Sequence, residues 1–203
     1  MMSSFVTLHR SCCAIAVALA VPLAMAQPLQ PDIVVVKTVD APVADVWNAW
    51  TTAAGIESFF APKVGKLEAW PGGMFELWFA PDAAEGSRGS EGNRVHSVKP
   101  MEQFVFEWGA PPTIPTIRPL RTLVYLDFKP LDGNRTEVTL RNFGYGQGDD
   151  WDKTKAYFQR AWPAVMGNLE KKFARKPGEA RSRTNTVDPA THRPLGCSTP
   201  APR

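Results

Sequence analysis

The sequence predicts an α+β domain in which a curved antiparallel sheet wraps around a long C-terminal helix, with two short helices after the first strand. Three observations predict it. The middle of the chain is a series of short segments in which apolar and polar residues alternate, the pattern of half-buried strands. No helix-length segment separates them, so consecutive strands are expected to pair antiparallel. Residues 149–173 then read as one helix whose Phe158, Trp162, Val165, Leu169 and Phe173 share a stripe that must be buried against the sheet. A helix lying across a curved sheet encloses space lined by large apolar side chains.

The first strand is predicted at residues 33–39, a β-branched run ended by Asp40-Ala41-Pro42. Val43, Val46, Trp47 and Trp50 recur at helical spacing, and after Gly55 a second short helix over 56–60 is stopped by Pro62. Strands are expected at 63–70, 74–80, 93–99, 104–108 and, after a proline-rich loop, 122–128. A last strand at 136–142 is joined to its predecessor by the Asp132-Gly133-Asn134 turn. Side chains switch faces at every strand residue, so Phe75, Leu77 and Phe79 form one inward row. Phe104, Phe106 and Trp108 form a second, Val124, Leu126 and Phe128 a third, and Thr136, Val138 and Leu140 a fourth. Glu107, Asp127, Lys129, Glu137 and Arg141 mark the wet face.

At the final helix, Asp149, Asp150 and Asp152 complement the positive end of the dipole and Lys171, Lys172 and Arg175 the negative end, each worth about 0.3–1 kcal/mol. Pro163 lies inside this helix, where a regular geometry loses about 3 kcal/mol, and a bend over 159–162 is expected.

The 203 residues suit one globular domain, expected over 27–174, with dispensable ends. Residues 1–26 read as a signal peptide: Arg10, then a small apolar run, then Ala24-Met25-Ala26 as a cleavage motif. The apolar run of about 14 residues is short of the roughly 20 that cross a bilayer, so no stable membrane insertion is expected. The mature chain then begins at Gln27 and is periplasmic or secreted. Cys12 and Cys13 leave with the leader, so only Cys197 remains and the fold must stand without an internal disulfide.

Residues 175–203 are polar, rich in Pro, Arg, Ser and Thr, and expected to be disordered. They hold six basic and two acidic residues, so the chain's net charge of +3 belongs to this tail and the folded part is slightly acidic. The tail's basic residues are scattered with no interleaved aromatics, which argues against nucleic-acid binding.

Little in the residue inventory supports catalysis. Of three histidines, only His96 falls within the fold, so a metal centre or a Ser-His-Asp triad would have to be built around one imidazole. No metal, cofactor or catalytic residue is assigned. Glu76, Tyr145 and Tyr157 are the remaining groups able to move a proton inside a cavity. The Gly144-Tyr145-Gly146-Gln147-Gly148 segment opens a helix as phosphate-binding loops do, but no βαβ unit surrounds it and Asp149, Asp150 and Asp152 repel a phosphate. Asn134-Arg135-Thr136 matches a glycosylation sequon at a position where Asn already serves the turn.

Val46-Trp47-Asn48-Ala49-Trp50-Thr51-Thr52, Gly55-Ile56-Glu57-Ser58-Phe59-Phe60-Ala61-Pro62, Gly72-Gly73-Met74-Phe75-Glu76 and the closing helix with Trp162 and Leu169 carry a resemblance. The chain resembles the SRPBCC superfamily (START, Bet v 1 and polyketide-cyclase relatives) over about residues 33–173. It is most similar to the branch typified by the C-terminal domain of the heat-shock-protein-90 ATPase activator. The resemblance implies a helix-grip fold with a hydrophobic tunnel between sheet and helix. The candidate ligand contacts are then Trp50, Phe60, Phe75, Leu77, Phe79, Phe106, Trp108, Val124, Leu126, Val138, Phe158, Trp162 and Val165, with the 111–119 loop, Thr113 and Ile114 near its middle, as a lid.

The expected function is an exported, monomeric or weakly dimeric binding protein for a small hydrophobic or amphipathic ligand; no protein partner is identified. The alternative is a cyclase- or hydrolase-like enzyme using the same cavity. A third reading, a co-chaperone-type ATPase activator, sits poorly with export because such a partner is cytosolic.

Overall fold

The computed structural model describes residues 28–174. The expected leader, the tail and Cys197 lie outside them. The chain runs β1 (Ile33–Val39), α1 (Val43–Thr51), α2 (Ala53–Glu57), β2 (Lys63–Leu67), β3 (Phe75–Trp78), β4 (Val95–Lys99), β5 (Gln103–Gly109), β6 (Arg121–Leu131), β7 (Arg135–Phe143) and α3 (Asp149–Lys172). Five strands form the main antiparallel sheet in the order β1-β7-β6-β5-β4. The first strand thus closes onto the last, and α3 packs back along β1, where Lys37 Nζ meets Glu170 Oε2 at 2.7 Å.

One expectation about the sheet is corrected. The segments at 63–70 and 74–80 do not continue the main ladder; β2 and β3 make a separate hairpin with a bulge between Val64 and Lys66. The reason lies at the end of β3. The backbone N–H groups of Phe79 and Ala80 both donate to the Arg88 carbonyl, so the partner of β3 is the loop before β4. The Met74–Arg94 and Trp78–Gly89 bridges tie the hairpin to the segment that leads into β4.

The inward rows fall where alternation placed them, with Phe106 opposite Val124 and Leu126 opposite Leu140. Phe79 is an exception: just past the end of β3 it is 45% exposed. A polar residue sits in the same inward layer, since Asn142 pairs with both Val124 and Ile33 and is fully buried.

On α3 the buried stripe is Thr154, Phe158, Trp162, Met166 and Leu169. Met166 is fully enclosed while Val165 is only half-buried, so the stripe is rotated by about one residue from the expected one. The helix continues through Pro163 as one 24-residue element, with the proline on the exposed side. Burying the stripe, rather than local propensity, stabilises such a helix. Truncating one of its fully buried members, such as Leu169, removes about 2–5 kcal/mol.

Beneath α1 the core is solid. Phe75 lies 4.3 Å from Phe106 and 5.5 Å from Phe104 between ring centroids, and Trp47 meets Phe104 and Phe128 edge-on. These rings pack directly on one another beneath α1.

Candidate ligand cleft

Space remains at the opposite end, where the tips of β3 and β5 approach the middle of α3. A cleft of about 380 Å³ opens there. Phe60, just past α2, stacks on Trp108 at the end of β5 with centroids 5.5 Å apart and planes 24° apart. Trp108 lies 5.2 Å from Trp162 on α3, and Trp162 stacks on Phe158 at 5.7 Å. Phe79 adds a fifth ring 5.7 Å from Phe60. These offset and tilted contacts are the favoured aromatic geometries, and they make one continuous wall.

Small residues keep the cleft open. Ala80, Gly89, Gly109, Ala161 and Ala164 line it together with Pro111, Pro112 and Val165. Gly89 must be glycine, since a Cβ there would lie 2.1 Å from the Leu77 carbonyl oxygen and 3.0 Å from the Phe79 ring. The polar lining is sparse: Ser87, Arg88 and the 43%-exposed Tyr157, together with Ser90, whose hydroxyl already accepts from Leu77 N–H at 2.9 Å.

Two polar devices fix the walls. Trp162 Nε1 donates to Asn142 Oδ1 at 2.9 Å, and the Tyr145 hydroxyl donates to the same oxygen. Asn142 Nδ2 donates in turn to Thr122 Oγ1 at 3.0 Å, and the Thr122 hydroxyl donates to the Trp108 carbonyl at 2.9 Å. A buried chain of hydrogen bonds thus joins both cleft tryptophans. Burial pushes the Tyr145 phenol far above its ordinary value, so it stays a neutral donor.

The second device is Arg118. Its guanidinium donates to the carbonyls of Gly86 at 2.8 Å, Gly89 at 2.7 Å and Ala110 at 2.9 Å, and to Glu91 Oε2 at 3.2 Å. Partial burial lowers its pKa, against the opposing pull of Glu91. One side chain therefore pins both loop segments that edge the cleft.

Of the thirteen expected contacts, six converge here: Phe60, Phe79, Trp108, Phe158, Trp162 and Val165. Trp50, Phe75, Leu77, Phe106, Val124, Leu126 and Val138 are instead fully buried and do not line it. Of the 111–119 loop, Pro111 and Pro112 reach the cleft while Thr113 and Ile114 do not.

The sequence reading missed Arg118 and the glycine and alanine positions; the signal for Arg118 was a lone cation inside a proline-rich loop. The acid-base candidates do not converge. His96 Nε2 lies 3.0 Å from Glu107 Oε1 on the exposed face, Glu76 accepts from Gly92 N–H, Tyr145 is enclosed, and only Tyr157 reaches the cleft. Among the described residues no cluster of His, Cys, Asp or Glu could hold a metal ion, and no helix is long and apolar enough to cross a membrane.

Solved structures share this architecture. A Mesorhizobium loti protein is 20% identical, with 70% of this chain and 96% of that chain covered and a TM-score of 0.56. The Aha1 dimer from Colwellia psychrerythraea is 14% identical over 71% of this chain and 96% of its own, at a TM-score of 0.54. DynU16, from the dynemicin biosynthetic locus, is 18% identical over 69% of this chain and 46% of its own, at 0.51. At these identities the likeness shows the helix-grip fold alone. Among curated proteins none matches. Residues 40–174 match the family described as activator of Hsp90 ATPase homolog 1-like protein, and the chain belongs to that family within the SRPBCC superfamily.

Proposed function

We propose that this protein binds a small hydrophobic or amphipathic molecule in the cleft between α3 and the ends of β3 and β5, and that it does so after export. The observation that carries this reading is an open, ring-walled cleft beside a buried cluster of mutually packed rings. Phe79 and Tyr157 stand half-exposed on the lining of the cleft, where an apolar molecule would cover them. The Asn142 chain and the Arg118 clamp favour a preformed site, which reduces the ordering entropy that a ligand must overcome.

Catalysis is less favoured because His96 and Glu76 lie away from the cleft, leaving Tyr157 without a second proton-transfer group among those candidates. An ATPase-activating role rests on the family description alone. Native mass spectrometry of the mature protein purified from its own host tests the binding reading. A co-purifying apolar adduct, or a thermal shift with members of a hydrophobic ligand panel, is expected; repeated absence of both contradicts it.

A further inference from the structure

Within that binding reading, on which this inference rests, we infer that the cleft selects compact planar aromatic molecules over saturated or chain-like ones. Its walls are mostly rings and small residues. Among the described residues six rings border it, from Phe60, Phe79, Trp108, Tyr157, Phe158 and Trp162, whereas Val165 is its only branched aliphatic residue. The core nearby is mixed: Ile56, Leu77, Leu126, Leu140, Met166 and Leu169 are fully enclosed beside Phe75, Phe104 and Phe106, and none of these aliphatic side chains reaches the cleft. The closed interior thus mixes rings with branched and flexible side chains, whereas the opening is bordered almost wholly by rings and small residues.

The contents are constrained by that arrangement. A flat ring entering the cleft can continue the stacked and tilted series already present from Phe60 through Trp108 to Trp162, with its own edge and face matched to the quadrupoles around it. A saturated skeleton of equal size buries similar apolar area without those contacts. The volume of about 380 Å³ lies near the lower end of the roughly 300–1,000 Å³ typical of small-molecule sites, which suits a molecule of two or three fused rings rather than an extended lipid.

Paired titration calorimetry with 2-naphthol and decahydro-2-naphthol tests this, because the two share a carbon skeleton and a hydroxyl and differ in planarity and π-electrons. Two additional ring contacts correspond to about a tenfold tighter Kd for 2-naphthol. Phe79→Leu, at a half-exposed position of the cleft wall, is expected to weaken 2-naphthol by about threefold to tenfold and decahydro-2-naphthol by less than about twofold. Equal or tighter binding of the saturated probe overturns the aromatic preference and leaves the cleft as a general apolar site. A parallel loss of both probes in Phe79→Leu overturns it as well. Binding of neither probe to the wild-type chain contradicts the binding reading itself.

Discussion

Trp162 gives its indole N–H to Asn142 Oδ1 at 2.9 Å, and this single bond sets the orientation of the ring that forms the inner wall of the cleft. Asn142 is the polar member of an apolar layer, where an unpartnered amide is costly. It is tolerated because Tyr145, Trp162, Thr122 and the Leu123 carbonyl satisfy it from four directions.

Asn142→Ala is therefore expected to lose about 2–4 kcal/mol, more than a typical single hydrogen bond, because it leaves the Tyr145 and Trp162 donors buried without their acceptor. Trp162→Phe keeps an aromatic ring but removes the indole donor and leaves a void where the larger ring system packed, and should lose about 2–4 kcal/mol. Urea unfolding with unchanged m-values checks both.

Gly55 marks the close approach of α2 to α1. A Cβ there would lie 2.3 Å from the Asn48 carbonyl oxygen and 2.6 Å from Ala49 Cα, both backbone atoms that cannot yield easily. Gly55→Ala should destabilise the fold by about 1–3 kcal/mol despite alanine's higher helix propensity. A thermal midpoint at or above wild type would show that the two helices can slide apart.

Arg118→Lys retains the charge but cannot span three carbonyls and a carboxylate, since an ammonium lacks the planar fork. Loop segment 86–91 and the Gly109 and Ala110 amides are expected to exchange hydrogen faster in this variant while β6 and β7 do not change. Ligand affinity should fall about threefold to tenfold through loss of preorganisation. Unaltered exchange in both segments would place the clamp's stabilisation elsewhere.

Asp150 couples the 111–120 loop to the start of α3. Hydrogen bonds from Lys153 and then Thr116 hold its carboxyl below the ordinary 3.8. A depressed folded value contributes stability that is present above the unfolded value and is lost as pH falls through the folded one. Acidification below about 3.8 should therefore release Thr116, seen as a shift of its amide resonance, and Asp150→Asn should flatten that titration. A Thr116 titration that persists in Asp150→Asn would assign it to another group.

Most of the fold was legible because period-2 rows and one helical stripe admit few arrangements: a slip of one residue at Phe106 or Leu140 would turn the whole row to water. Two features were not. The division into two sheets depends on where the Phe79 and Ala80 amides find their acceptor, which residue periodicity does not encode. Likewise, Phe75 and Trp108 look equivalent as inward aromatics, yet one is sealed among Phe104 and Phe106 and the other borders a cleft. The difference arises from small residues across the gap, Gly89, Ala161 and Ala164, and alanine and glycine carry no apolar signal that a stripe would show.

The most direct measurement is a backbone-amide NMR titration of the folded domain with 2-naphthol. Saturable shifts concentrated at Phe60, Phe79, Gly89, Gly109 and Val165 are predicted, with the outward positions Val34, Val36 and His96 unmoved. Shifts centred on those outward positions, or none at saturating probe, would contradict a ligand cleft at this end of the sheet.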